Sequence, residues 1–362
     1  MKIVFSGGGT GGHIYPALAI REALIEKLGA DLASVYVGVS GGMEEKIVER
    51  IPELSFLGVR AQGMPRSLSL KLLSFPIVNF LGVLDAVAHL RSFAPDLVVT
   101  TGGYVAFPVL MAARLLGIPA IIHEQNAAMG VTNRLFAKSA RRVLLTYASA
   151  GQVDNKKVFL TGNPVRKSFL EKSCAAGMFH KKPGEFWLLS VGGSRGALSL
   201  NKVCVELVKN WLPENKNVVL LHICGERDYE LVKSETSGAP ENYRLLPYLH
   251  EMKQAFDVAD LVISRAGATI LSELAVCKKP AILVPFPYAT DNHQEKNARV
   301  LQDAGAARLI LDSELSWEKI ATMVKEITSQ DKLKKMSEAM SKSRPADVES
   351  KIAQIIIDAM NE

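Results

Sequence analysis

Short runs of apolar and β-branched residues, Ile3 to Phe5, Ser34 to Val39, Asp96 to Thr100, Ala120 to His123 and Val143 to Thr146, alternate with longer stretches of helical character. Apolar runs of that length, spaced by helix-sized segments, read as βαβ units on a parallel sheet buried on both faces. A second series keeps the same rhythm: Phe186 to Val191, Val218 to Ile223, Tyr243 to Leu246, Leu261 to Ser264 and Ala281 to Val284. Both halves open with a strand, a glycine turn and a helix, IVFSGGGTGGHIYPALAIREAL against LLSVGGSRGALSLNKVCVEL. The pattern predicts an α/β protein of two Rossmann-like domains with parallel sheets facing a cleft. Pro164, in TGNPVRKSF, and the Lys/Gly-rich stretch Lys181 to Gly184 put the boundary near residue 164. The expected domains are 1–163 and 164–340. The remaining segment, 341–362, is amphipathic from Val348 to Met360 and is expected to pack back on the first domain.

Bulk properties agree with two domains, since 362 residues exceed what one core usually organises and 48% are apolar. Lys and Arg total 43 against 37 for Asp and Glu. That modest excess suits phosphates, anionic lipid or plain solubility, and gives no sign of a nucleic-acid partner. Cys174, Cys204, Cys224 and Cys277 lack CxxC spacing and sit among apolar residues, as reduced buried thiols do. A cytoplasmic compartment is expected. Met1 and Lys2 run straight into a strand, without the apolar core of a signal peptide.

Ser67 to Ala88 breaks the regular pattern, with Lys71 and Asp85 as its charges and poor helical periodicity. Pro76, Asn79 and the two charges argue against a spanning helix. Leu72, Phe75, Ile77 and Phe80, with Arg60, Arg66, Lys71 and Arg91 around them, have the composition of a patch lying in a membrane interface. A buried helix pair is the other reading of the same residues.

Candidate chemistry lies where strands end in glycines. Gly7 to Gly12, GGGTGG, follows a strand and precedes a helix, so bare amides can approach a phosphate or sugar. A dinucleotide-binding site also needs an acid at the end of the second strand, and Val39 is followed instead by Ser40-Gly41-Gly42. His13, next to the glycines, is the best candidate base, because a helix N-terminus disfavours a cation and leaves a neutral imidazole to take a proton. The competing account is a histidine that merely lines the turn. Thr101-Gly102-Gly103-Tyr104 and Gly192-Gly193-Ser194-Arg195-Gly196 repeat the glycine turn, and Ser264 to Glu273 again runs strand, turn and helix. Glu273 can bond ribose hydroxyls, or simply complement the helix dipole. Glu124-Gln125-Asn126 clusters three polar side chains where a ligand-contacting loop is expected. Asp291 to Gln294 reads as a polar loop. There is no DxD pair and no zinc spacing, so no metal or other cofactor is expected, and charge neutralisation falls to amides, dipoles and residues such as Arg166.

In order along nearly the whole chain, GGGTGGHIYPALA, TGGYVAFP, HEQNAAMGVTNRL, TGNPVR, GGSRGA, RAGATILSE and DNHQEKNA resemble the MurG family of N-acetylglucosaminyltransferases. The resemblance implies a GT-B fold, with the donor held mainly by the C-terminal domain and a lipid acceptor by the N-terminal one. It implies transfer of N-acetylglucosamine from UDP-N-acetylglucosamine to the 4-hydroxyl of the muramyl unit of lipid I, with inversion, giving lipid II for peptidoglycan. By motif position, Thr10, Gly11 and Gly12 would face the donor, Asn126 the sugar, and Arg166 and Ser194 the nucleotide phosphates. Leu249 and the turn Ala268, Thr269, Ile270, Leu271, Ser272, Glu273 would hold uracil and ribose. Gln294 would reach ribose or sugar, and His13 would be the base or orient the acceptor. The resemblance further implies peripheral attachment to an anionic membrane surface, on the cytoplasmic face of the inner membrane, with other cell-wall enzymes as neighbours. Arg195, Ala266 and His250 depart from the family's usual glutamine, serine and acid. Sugar-nucleotide 2-epimerases, which share the architecture, and a non-catalytic sensor are the alternatives.

Overall fold

A computed structural model describes residues 1–64, 71–150, 156–171, 178–193 and 196–361, with the side chains of Lys71, Leu72 and Gln330 outside that description. The chain forms two compact units, Met1–Lys167 with Pro345–Glu362, and Ser168–Arg344. The segment Asn163 to Lys167 thus belongs to the first unit.

The first unit is built on seven parallel strands: β1 (Lys2–Ser6), β2 (Ala33–Val39), β3 (Ser55–Val59), β4 (Leu97–Thr100), β5 (Ala120–Glu124), β6 (Arg142–Leu145) and β7 (Val158–Leu160). They lie in the order β3-β2-β1-β4-β5-β6-β7. Register fixes the centre: Phe5 of β1 pairs with Tyr36 of β2 on one side and Val99 of β4 on the other. Inner strands are apolar on both faces because helices cover both. On one face Ile14, Ala17 and Leu24 of helix Gly11–Leu28 meet Ile3, Phe5 and Val99. Val348, Ile352 and Ile356 of the last helix, Val348–Asn361, complete that same core and are fully buried. At about 1.5–3 kcal/mol per buried aliphatic side chain, such a face is enough to hold the chain's end against the first unit. On the other face Ala86 and Leu90 of helix Lys71–Phe93, with Val109 and Ala113 of helix Ala106–Leu115, cover Val4, Val35 and Val98.

The second unit has six parallel strands, β8 (Phe186–Val191), β9 (Val218–Ile223), β10 (Tyr243–Leu246), β11 (Leu261–Ser264), β12 (Ala281–Leu283) and β13 (Ala307–Leu309), in the order β10-β9-β8-β11-β12-β13. Leu188, Leu220, Leu261 and Ile282 pack against Leu200, Cys204 and Leu207 of helix Leu198–Asn210 and Ile320 and Val324 of helix Trp317–Ile327.

Three strands, β3, β7 and β13, were not legible in the apolar pattern. Each lies at a sheet edge and is half-exposed, so no continuous apolar run marks it. Lys71–Phe93 is one unbroken helix, against the poor periodicity read from the sequence. Its Asn79 and Asp85 are not left bare: Asn79 Nδ2 donates to Gln62 O at 3.1 Å, and Asp85 accepts from Arg60 Nε at 2.8 Å and Nη2 at 2.6 Å.

Candidate active site

In both sheets the strand order reverses direction at one point, between β1 and β4 in the first and between β8 and β11 in the second. Ligands of open parallel sheets collect at the carboxyl ends flanking such a point. All four of these strands run into the glycine turns singled out above.

In the first unit the two turns interlock. Gly8 N donates to Gly102 O at 3.3 Å. A Cβ on Gly7 would lie 2.0 Å from Thr101 Oγ1, and one on Gly103, whose φ is +84°, 2.3 Å from Gly8 O. No side chain fits at either place, so both backbones come as close as glycine allows. The buried Glu44 supports the loop from beneath, its carboxylate accepting from Val39 N at 3.0 Å and Gly9 N at 3.3 Å. The acid missing from the end of β2 therefore exists a few residues on, and it holds the protein's own amides.

Thr10 is the N-cap of helix Gly11–Leu28, and its exposed side chain makes no capping bond. Gly11, Gly12 and His13 make up the first turn, and the His13 amide donates to Thr10 O at 3.1 Å. His13 is half-buried, with Nδ1 2.9 Å from Thr101 O and 3.1 Å from Gln125 Oε1. Both partners are acceptors, so Nδ1 carries the proton and Nε2 holds the lone pair. Among the described residues Nε2 has no hydrogen-bond partner. Arg166 stacks its guanidinium 4.4 Å from the ring centre of Tyr15, which places it in the first unit beside this helix.

The polar triplet that begins with the last residue of β5 is a correction to the sequence reading. Glu124 and Gln125 are buried, and only Asn126 is partly open. Glu124 accepts from Asn126 N at 3.0 Å, Asn126 Nδ2 at 3.1 Å, Gly130 N at 2.9 Å and Asn133 Nδ2 at 2.8 Å, which folds the loop and presents Asn126.

In the second unit β8 runs into Gly192 and Gly193; Ser194, and Arg195 beside it, lie outside the described residues. Gly196 takes φ +72° and has no room for a Cβ, which would sit 2.6 Å from Cys224 O. β11 runs into Arg265-Ala266-Gly267, and Gly267 is the N-cap of helix Ala268–Val276. On that helix Leu271, Ser272 and Glu273 are buried, whereas Thr269 and Ile270 are half-open, and Ser272 Oγ donates back to Ala268 O at 3.0 Å. Leu249 is buried too. Gln294 lies in the first turn of helix His293–Asp303, preceded by Asp291 and Asn292 in left-handed conformations. Its Oε1 accepts from Ala266 N at 3.2 Å and Phe286 N at 2.9 Å.

Sequence reasoning missed Arg265, which clamps these parts together. Its Nη1 donates to Val284 O and Pro285 O, both at 3.2 Å, and to Asp312 Oδ1 at 2.6 Å, while Nη2 donates to Ser199 Oγ at 2.7 Å. An arginine next to a glycine turn was the available signal. Its guanidinium is buried, with Nη1 and Nη2 both engaged inside the unit.

Two doubly wound parallel-sheet units, with glycine turns at both reversal points and a histidine in one of the first helical turns, define a two-domain α/β glycosyltransferase. The N-terminal domain of glycosyltransferase family 28 matches residues 3–145, and the C-terminal domain of that family matches residues 188–352. A UDP-N-acetylglucosamine–N-acetylmuramyl-(pentapeptide) pyrophosphoryl-undecaprenol N-acetylglucosamine transferase from Desulfitobacterium hafniense is 40% identical, with 99% of each chain covered. The enzyme of the same name from Halothermothrix orenii is 41% identical, with 94% of each chain covered. Among solved structures, Acinetobacter baumannii MurG superposes with a TM-score of 0.76 at 26% identity, covering 99% of each chain. The chain belongs to glycosyltransferase family 28 and, within it, to the MurG family. It is a hexosyltransferase of GT-B architecture.

Proposed function

We propose that this chain moves N-acetylglucosamine from UDP-N-acetylglucosamine to the 4-hydroxyl of the muramyl unit of lipid I, with inversion, and so forms lipid II. The names of the relatives, at about 40% identity over nearly the full length, support the donor and acceptor. The single structural observation that carries the chemistry is His13, with Nδ1 committed to two acceptors and Nε2 left with its lone pair. In one displacement the acceptor oxygen attacks the anomeric carbon, the bond from that carbon to the β-phosphate oxygen of UDP breaks, and His13 Nε2 takes the hydroxyl proton. The first unit thus takes the acceptor, with Asn126 toward the sugar and the Thr10-Gly11-Gly12 turn toward developing negative charge. The second unit takes the donor: Glu273 for ribose, the half-open Thr269 and Ile270 with the Leu249 main chain for the base, Gln294 Nε2 for ribose or sugar. Ser194 and Arg166 are assigned to the phosphates.

Attachment to an anionic membrane surface, on the cytoplasmic face of the inner membrane, belongs to the same proposal. It is supported by helix Lys71–Phe93, whose span Leu73–Phe93 is long and apolar enough to cross a membrane by length and composition. Its tethers to Gln62 and Arg60 favour lying along a surface.

His13→Ala tests the chemistry. The expected result is a fall in turnover of about 10²–10⁴-fold, the usual worth of a general base, with donor affinity within a factor of two. Near-normal turnover of the folded variant excludes His13 as base.

A further inference from the structure

His13 does not stand alone beneath the glycine turns. Gln125, fully buried, brings its side-chain oxygen to 3.1 Å from His13 Nδ1, while its Nε2 lies 2.9 Å from His123 O and 3.0 Å from His123 Nδ1. A carbonyl oxygen accepts only, so the end of the amide facing His123 is the NH2 group and the end facing His13 is the oxygen. His123 Nδ1 must then accept from that NH2 group. Its proton sits on Nε2, which donates to Gly162 O at 3.1 Å. Burial keeps this ring neutral, holding its pKa down to about 4, so the arrangement needs one proton on the ring and no more. Gly162 is fixed in turn by the returning C-terminal segment. Its φ is +86°, and a Cβ there would lie 2.9 Å from Val348 Cγ2 and 3.0 Å from Pro345 Cδ.

We propose that His123 and Gln125 are positioning residues of the transfer reaction, a buried relay from Gly162 O that locks the Gln125 amide and holds the His13 proton on Nδ1. The proposal rests on the reading of His13 as the base. The relay has two effects. First, Gln125 Oε1 and Thr101 O together pin the ring, so that Nε2 keeps both its lone pair and its direction. Second, as Nε2 takes the acceptor proton, the ring becomes cationic and two oxygen dipoles already face its Nδ1–H, with no reorganisation needed. His123 contributes by forbidding the reversed amide, which would put an NH2 group against Nδ1–H. Neither His123 nor Gln125 reaches the reacting atoms, since both are fully buried.

The test is long-range proton–nitrogen correlation on the full chain labelled with ¹⁵N-histidine, with His13 and His123 assigned by substitution. Opposite tautomers are expected, the proton on Nδ1 in His13 and on Nε2 in His123. A proton on Nε2 in neutral His13, or on Nδ1 in His123, overturns the relay, and this result needs no variant to fold. Kinetics supply the second arm. Gln125→Met is expected to lower kcat by about 10- to 100-fold, part of what a base supplies, with donor KM within twofold. His123→Asn, whose oxygen can replace Nδ1 as acceptor, is expected to retain more turnover than His123→Leu. An unchanged kcat in Gln125→Met contradicts the proposal. Expected tautomers with an active His13→Ala remove the base reading alone, whereas a proton on Nδ1 of His123, with the His13 proton still on Nδ1 and His13→Ala inactive, removes the relay alone.

Discussion

Several polar side chains near the glycine turns have their acceptor atoms committed within the protein. Gln294 spends its oxygen on Ala266 and Phe286, and Glu124 spends its carboxylate on its own loop. Glu273 is proposed to bond the ribose, and on that proposal Glu273→Ala is expected to weaken UDP binding by about tenfold or more, from loss of charge-assisted bonds of about 1.5–3 kcal/mol. Calorimetry with UDP checks this, and unchanged affinity removes the ribose assignment. Two other buried residues set the response to acid. In the unfolded chain histidine titrates near 6.5, while burial holds His123 to about 4 and His222 to about 3. Between those values the unfolded state binds the proton and the folded state does not, so stability falls as pH drops from about 6.5 toward 4. His222 lies between Tyr243 Oη and Asn201 Oδ1, each at 3.0 Å. His222→Gln is expected to show a shallower loss of urea midpoint from pH 7 to 4. A slope as steep as the parent's would contradict the assignment.

Among the elements, helix Lys71–Phe93 shows where a pattern is ambiguous and why. The sequence left an interfacial patch and a buried helix pair open, and the helix has something of both. Asn79, Val83, Ala86 and Leu90 are buried, while Leu73, Ile77, Phe80 and Leu84 form an exposed stripe at helical spacing. Apolar residues on both sides erase the contrast from which periodicity is read. Of the expected patch residues, Ile77 and Phe80 are exposed, Phe75 is half-buried, and the Leu72 side chain lies outside the described residues. Of the expected basic neighbours, Arg60 is bound to Asp85 and Arg91 is exposed; Arg66 and the Lys71 side chain are not described. The double change Ile77→Glu, Phe80→Glu is expected to weaken binding to anionic vesicles by about tenfold or more, at about 1.5–3 kcal/mol per apolar side chain kept from lipid. The melting temperature should stay within about 2 °C, because surface changes leave stability nearly unmoved. Equal vesicle binding would contradict the interfacial role.

For the molecule as a whole, ten of the thirteen strands among the described residues were legible, because buried parallel strands write unbroken apolar runs, and the glycines that follow them marked the turns. Edge strands were hidden because one side of each meets solvent. What the sequence could not show was connection: Gln125 is 112 residues from His13, and Arg265 is 47 from Asp312. The candidate base was readable from its place beside the glycines, but the groups that orient it were not. The central claim is that this chain makes a glycosidic bond to a lipid-linked muramyl sugar. The most direct measurement gives the purified protein UDP-N-acetylglucosamine labelled in the sugar together with a lipid I analogue, and follows both label and UDP. The account predicts label in a lipid-linked disaccharide, one UDP released for each sugar transferred, and β configuration at the new bond. Label recovered as an epimer, or UDP released with no label in the lipid product, would contradict it.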